Sequence, residues 1–172
     1  MTRIFKAAGP ADYREFGALI REYTSWLLQR LATEAWFMEG VLKHQSLAAE
    51  LESLETIYAP PGGRLLLAEV DGRIAGGVAF RELSQGICEM KRMYLRDAFR
   101  GLGLGRKLCA AIIASARGDG YRFMRLDTAR RLTEAITLYR SMGFSECKPY
   151  RAYAEDLLPH LLFMELELRE LQ

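Results

Sequence analysis

The chain has 172 residues, half of them hydrophobic and 27% charged, and its 24 lysines and arginines against 22 acidic residues leave a formal net charge of +2. That length suits one domain, 1–172, with a real buried core, and the composition is ordinary for a globular protein. So weak a net charge argues against a dedicated nucleic-acid binder. No run approaches the roughly 18 apolar residues of a membrane span, and MTRIFKAAGPADYREF lacks the apolar core of a secretory signal. A cytoplasmic protein is expected.

Thr2 to Ala7 reads as a short first strand. Pro10 then opens a helix, where proline suits the first turn. Phe16, Leu19, Ile20, Tyr23, Leu27 and Leu31 recur at three- and four-residue steps and give it one apolar stripe. Thr33 to Gln45, with Trp36 and Phe37, takes no firm assignment. Ser46 to Tyr58 reads as one further helix. Ala59-Pro60-Pro61-Gly62-Gly63 breaks the pattern, and strands follow. Arg64 to Val70 and Arg73 to Leu83 are joined by Asp71-Gly72, a hairpin signal. Ile87 to Leu95 completes an antiparallel meander. A glycine loop, a helix from Gly103 to Arg117, a strand from Tyr121 to Asp127 and a helix from Leu132 to Met142 form a βαβ crossover. Gly143 to Tyr150 and Leu161 to Leu168 read as closing strands. The fold class is α/β (α+β), with a mixed, mostly antiparallel sheet of six to seven strands and helices on both faces.

The cysteines, Cys88, Cys109 and Cys147, are odd in number and widely spaced, as in reduced intracellular thiols. No cysteine–histidine cluster has zinc-ligand spacing, so no metal is expected.

YLRDAFRGLGLGRKL sets Gly101, Gly103 and Gly105 between a strand and a helix, flanked by Arg100 and Arg106. A helix N-terminus offers unpaired N–H groups and partial positive charge, and glycine lets a phosphate approach them. A tight turn would need only one glycine. The nucleotide-binding G-x-x-x-x-G-K-[ST] fails, because Arg106-Lys107-Leu108 displaces the lysine, and G-x-G-x-x-G fails at both alignments. What remains is R-x-x-G-x-G, at Arg100, Gly103 and Gly105. It resembles the pyrophosphate loop of the GCN5-related N-acetyltransferases (GNAT family). EAITLYRSMGF, Glu134 to Phe144, is similar to that family's A-x-x-L-Y-x-x-x-G-F signature. The likeness covers about residues 64–144, and both ends more weakly.

The resemblance implies acetyl-CoA as donor and an amine as acceptor. It puts the pyrophosphate on the loop amides of Arg100, Gly101, Leu102, Gly103, Leu104, Gly105 and Arg106. It pairs the pantetheine arm with Met93, Tyr94 and Leu95, in a gap between the strands Ile87–Leu95 and Tyr121–Asp127. By the same analogy Tyr139 faces the CoA sulfur as general acid, and a homodimer is expected, with Leu161–Leu168 a candidate to pair across its interface. Two positions depart from the pattern. Asp97 stands where many members have proline, and Leu132 where many have an asparagine that contacts the cofactor.

Glu89 is the expected general base. By strand parity it shares a face with Ile87, Met93 and Leu95, and an apolar face raises a carboxylate's pKa. Lys91 shares the face and opposes that shift. An ion pair of Glu89 with Lys91 or Arg92 is the competing reading. Asp127 and Thr128 offer polar groups nearby, or a helix N-cap. Residues 10–58 should bound the acceptor. Trp26, Trp36, Phe37 and Tyr150 either wall that pocket or pack the core, and Arg21, Arg30 and Arg81 either bind a carboxylate or face solvent. The expected function is acetyl transfer to a primary amine of a small molecule, and a non-catalytic acyl-CoA-binding module is the alternative. The sequence does not separate amino acids, polyamines, antibiotics and protein termini as acceptors.

Overall fold

The computed structural model describes residues 1–168. The strands β1 (Thr2–Lys6), β2 (Gly63–Val70), β3 (Arg73–Ser84), β4 (Ile87–Leu95), β5 (Phe123–Ala129), β6 (Ser145–Glu146) and β7 (Leu161–Glu167) form one sheet in the order β1-β2-β3-β4-β5-β7-β6. Among the described residues only the β4–β5 pair is parallel, and the other pairings are antiparallel. The helices are α1 (Pro10–Arg30), α2 (Ala35–His44), α3 (Leu47–Glu52), α4 (Leu54–Tyr58), α5 (Leu104–Gly118) and α6 (Thr133–Ser141). None is long and apolar enough to cross a membrane among the described residues.

Both faces of the sheet are covered, so its central strands are apolar on both sides. Leu66, Ala68, Val78 and Phe80 turn toward Leu108, Ile112 and Ile113 of α5. Their alternates Leu65, Leu67 and Ala79 pack with Phe16, Leu19 and Ile20 of α1. The hairpin turn has both central residues, Asp71 and Gly72, at positive φ, as its twist requires.

Three assignments change. Residues 33–45 hold α2, which buries Phe37, Met38, Val41 and Leu42. Residues 46–58 form two short helices rather than one, because Ser53 leaves helical geometry at φ −130°. The strand expected over residues 143–150 shrinks to β6; Cys147 still donates to the Phe163 carbonyl, but Pro149 has no N–H to continue the ladder. β7, the candidate strand for a dimer interface, lies between β5 and β6, inside the sheet rather than at its edge.

The element that matters most for the site is a bulge in β4. Gly77 pairs with Tyr94 and Ala79 with Lys91, so Val78 faces two residues, Arg92 and Met93. Arg92 takes a positive φ of 58° there, a conformation that L residues adopt only at a cost. A bulge shifts side-chain parity by one. Cys88, Met90, Met93 and Leu95 therefore share the α5 side, while Tyr94 joins the α1 side. This corrects the parity argument for Glu89, which held only for an unbroken strand.

Candidate active site

β4 and β5 pair only through Ile87–Phe123, Cys88–Met124 and Glu89–Arg125. Past Glu89 they diverge, and β5 keeps its partner β7 along its whole length. The C-terminal half of β4 thus has an open edge, as the resemblance implied. A cleft of about 620 Å³ opens there. Met93, Tyr94 and Leu95 line one side, and Ala135, Leu138 and Tyr139 of α6 line the other.

The glycine loop forms the end of this cleft. Gly103 is the N-cap of α5, at φ 71°, and no side chain caps the helix. The first-turn amides consequently have no intrahelical acceptor. A Cβ at Gly103 would meet no atom within 4 Å, so the glycine answers a backbone need and leaves space toward the cleft. These features suit an anion. Not every expected loop residue points the same way. Arg100, Gly101, Gly103, Leu104 and Gly105 line the cleft, whereas Leu102 and Arg106 do not. Leu102 is 65% exposed. Arg106 donates to Ser141 Oγ at 2.8 Å. The Arg100 amide is already spent on the Asp97 carbonyl, at 3.1 Å. The Arg100 guanidinium lies 4.6 Å over the Trp26 ring and pairs with Asp97 at 3.0 Å.

Tyr139 is 8% exposed and lines the cleft. Burial pushes its phenol well above the ordinary range, so it keeps its proton at any working pH. Leu132, at the position of the missing asparagine, is an apolar wall.

A second, smaller cavity of about 60 Å³ adjoins the first. The two share Tyr23, Thr128 and Leu132. Leu27, Met38, Val41 and Leu161 give the small cavity apolar walls, and Gln45, Lys91 and Asp127 give it polar ones. In the sequence Tyr23 reads only as part of the α1 stripe and Gln45 only as the end of an unassigned stretch, since nothing local marks either as a site residue. Tyr23 stacks 5.4 Å from Tyr94 and 6.2 Å from Trp26. Of the other aromatic candidates, Trp36 is half exposed, Phe37 is core, and Tyr150 packs on Phe163.

Glu89 lines neither cavity. It is fully buried, and its surroundings are cationic rather than apolar. Arg151 donates to both carboxylate oxygens, one at 2.7 Å. Lys91 Nζ lies 3.5 Å away and Arg81 Nη2 3.6 Å away. Arg92, the other expected partner, turns to Glu50 instead, with hydrogen bonds of 3.0 and 2.7 Å. Asp127 accepts from the Tyr153 hydroxyl at 2.8 Å.

The Glu50–Arg92 pair pins the bulge from α3. Burial alone would raise the Glu50 pKa, but Arg92 and the Tyr58 hydroxyl, 2.6 Å away, bring it down to about 2 from an ordinary 4.5. A carboxylate depressed by folding stabilises the fold above its unfolded pKa and ceases to do so below its folded one. Stability should thus hold down to about pH 5 and then lose on the order of 3 kcal/mol from this group by about pH 2. Urea unfolding across that range should show the fall, and Glu50→Gln should flatten it.

The buried thiols of Cys88 and Cys109 are pushed up to about 12 by burial, which suits packing and not nucleophilic attack. Among the described residues no cluster of three or more His, Cys, Asp or Glu is placed to hold a metal.

Residues 22–144 match the acetyltransferase (GNAT) family. The chain belongs to that family. It is 35% identical over 161 residues to an uncharacterized N-acetyltransferase of Schizosaccharomyces pombe, a match spanning 92% of this chain and 90% of the relative. It is also similar to the IAA acetyltransferase of Azospirillum brasilense, at 35% identity over 67% of this chain and 74% of that one. Among solved structures, the PaiA N-acetyltransferase of Thermoplasma acidophilum in complex with coenzyme A superposes with a TM-score of 0.69, at 17% identity, over 97% of this chain and 99% of that one. That likeness shows the GNAT fold, and the splayed β4–β5 pair and the crossover through α5 are its parts here. By family, then, this GNAT chain is an N-acetyltransferase.

Proposed function

We propose that residues 1–168, with the short tail that follows, act as one domain that moves the acetyl group of acetyl-CoA to a primary amine of a small molecule. The observation that carries this reading is the junction of two cavities at Tyr23, Thr128 and Leu132. One is long, with an uncapped helix N-terminus at its end. The other is small, and has a polar floor. In this reading the α5 amides and Arg100 hold the pyrophosphate, and the open β4 edge at Met93–Leu95 pairs with the pantetheine. The solved neighbours bound to coenzyme A or to acetyl-CoA, among them YncA of Salmonella typhimurium, support that donor.

A primary amine arrives protonated, since its pKa is about 10.4. Its proton must leave before the nitrogen lone pair attacks the thioester carbonyl. The N–C bond then forms, the C–S bond breaks, and the thiolate takes a proton. Tyr139 is the proton donor we assign, because it lines the cleft and a phenol is protonated at neutral pH. For the acceptor of the amine's proton we move from Glu89 to Asp127. Asp127 lines the small cavity, whereas Glu89 lies outside it, held by Arg151. Glu89 becomes a positioning residue for Lys91 and Arg151.

Tyr139→Phe should lower kcat by about 10²-fold, the lower end of one proton-transfer group's worth, with the fold kept. The deficit should shrink with a donor whose thiol is more acidic, because a better leaving group needs less protonation. Steady-state kinetics with two thioester donors checks both. An equal deficit with both would remove Tyr139 from the proton path.

A further inference from the structure

Lys91 is a buried ammonium that the proposed transfer does not use. Its side chain is 5% exposed and it lines the small cavity. The other charged groups around that cavity are engaged. Arg92 is held by both oxygens of Glu50. Asp127 accepts from Tyr153. Glu89 is claimed by Arg151 through both oxygens. Lys91 is left with a 3.5 Å contact to that already occupied carboxylate. Of the charged residues that line the cavity, Lys91, Arg92 and Asp127, Arg92 is held by Glu50, while Lys91 has no hydrogen-bonded anion among the described residues. Leaving a buried ammonium without a close counter-charge is costly, so the site favours a ligand that sets a carboxylate beside Lys91.

Building on the acetyl-transfer reading, we propose that the acceptor is a small α-amino acid with an apolar side chain. Its carboxylate lies against Lys91 and its amine against Asp127. A zwitterion meets Lys91 on β4 with its carboxylate and Asp127 on β5 with its amine, because a carboxylate that accepts from Tyr153 still has lone pairs to spare. Asp127 is followed by Thr128, which the cavity shares with the cleft, so an amine held there faces the donor. Leu27, Met38, Val41 and Leu161 leave apolar space for the side chain. The volume agrees: a water-sized group needs about 10–15 Å³ of such space, so about 60 Å³ holds a handful of non-hydrogen atoms, the size of alanine. Burial pushes the Lys91 pKa down, with Arg92 acting the same way and Glu89, Asp127 and Glu50 opposing. A ligand carboxylate would add to the opposing side and favour the ammonium.

The test compares L-alanine, its methyl ester and ethylamine as acceptors, with CoA release read against acetyl-CoA. For the wild-type chain kcat/KM should favour alanine over both carboxylate-free amines by about 10–100-fold, the worth of one charge-assisted contact. Lys91→Met, which keeps the side chain's bulk, should erase that preference mainly through KM. Equal or better turnover of the ester or ethylamine by the wild type overturns the carboxylate subsite while leaving acetyl transfer intact. A preference that survives Lys91→Met also overturns it. Release with none of the three, but with longer amines, does the same. CoA release with no amine of any class would instead fail the acetyl-transfer reading itself, and this inference with it. The wild-type comparison decides the matter even where Lys91→Met does not fold.

Discussion

Gly103→Val should weaken acetyl-CoA binding by at least about 100-fold, with the chain still folded. Two effects combine. Gly103 sits at φ 71°, where a β-branched residue is strained by on the order of 1–3 kcal/mol. The loop would relieve that strain by turning, and the α5 amides would lose their aim. The added side chain would also fill the space that is open at this position. Its Cβ would meet no protein atom within 4 Å, so the ligand bears the loss. Two or three charge-assisted hydrogen bonds at roughly 1.5–3 kcal/mol each are at stake, which exceeds the 2.7 kcal/mol of a hundredfold change. Titration calorimetry together with a thermal melt separates lost affinity from lost fold. Unchanged affinity in a folded variant would remove the loop from the donor site.

Asp127→Asn and Glu89→Gln should fail in opposite ways. Asparagine keeps the shape of Asp127 and can still accept from Tyr153, but it cannot take a proton. The expected result is a fall in kcat of about 10²–10⁴-fold per folded molecule, with acetyl-CoA affinity near that of the wild type. Glu89→Gln removes the anion that Arg151, Lys91 and Arg81 share inside the protein. Taking one partner from a buried charge cluster costs about 3–5 kcal/mol. The variant should therefore unfold at distinctly lower urea, and its activity should fall mainly with its folded fraction. If Glu89→Gln instead keeps its stability and loses kcat while Asp127→Asn stays active, the base is Glu89 after all.

The parts of the site that are legible in the sequence are those that local backbone chemistry dictates. Three glycines between a strand and a helix can be read because positive φ and close approach demand glycine. Tyr139 can be read because it sits inside a contiguous signature. The face and surroundings of Glu89 are not legible in the sequence, for two physical reasons. The bulge at Arg92 breaks strand parity, and no residue type announces it in advance; arginine is an unusual choice at positive φ. Its cations, moreover, come from elsewhere, Arg151 from 62 residues downstream. The small cavity is harder still. It is assembled from α1, α2, β4, β5 and β7, so Tyr23, Gln45 and Lys91 meet only in three dimensions. The helix α2 stays unassigned in the sequence because flanking polar residues obscure the stripe of Phe37, Met38, Val41 and Leu42 that it buries.

The most direct test of the account is CoA release from acetyl-CoA across a panel of primary amines, with the products followed by mass spectrometry. The account predicts one CoA released per acetylated amine, almost none without an amine, and near-complete loss in Asp127→Asn. Tight acetyl-CoA binding that depends on Gly103, with no amine raising CoA release above background hydrolysis, would contradict it and leave an acyl-CoA-binding module in its place.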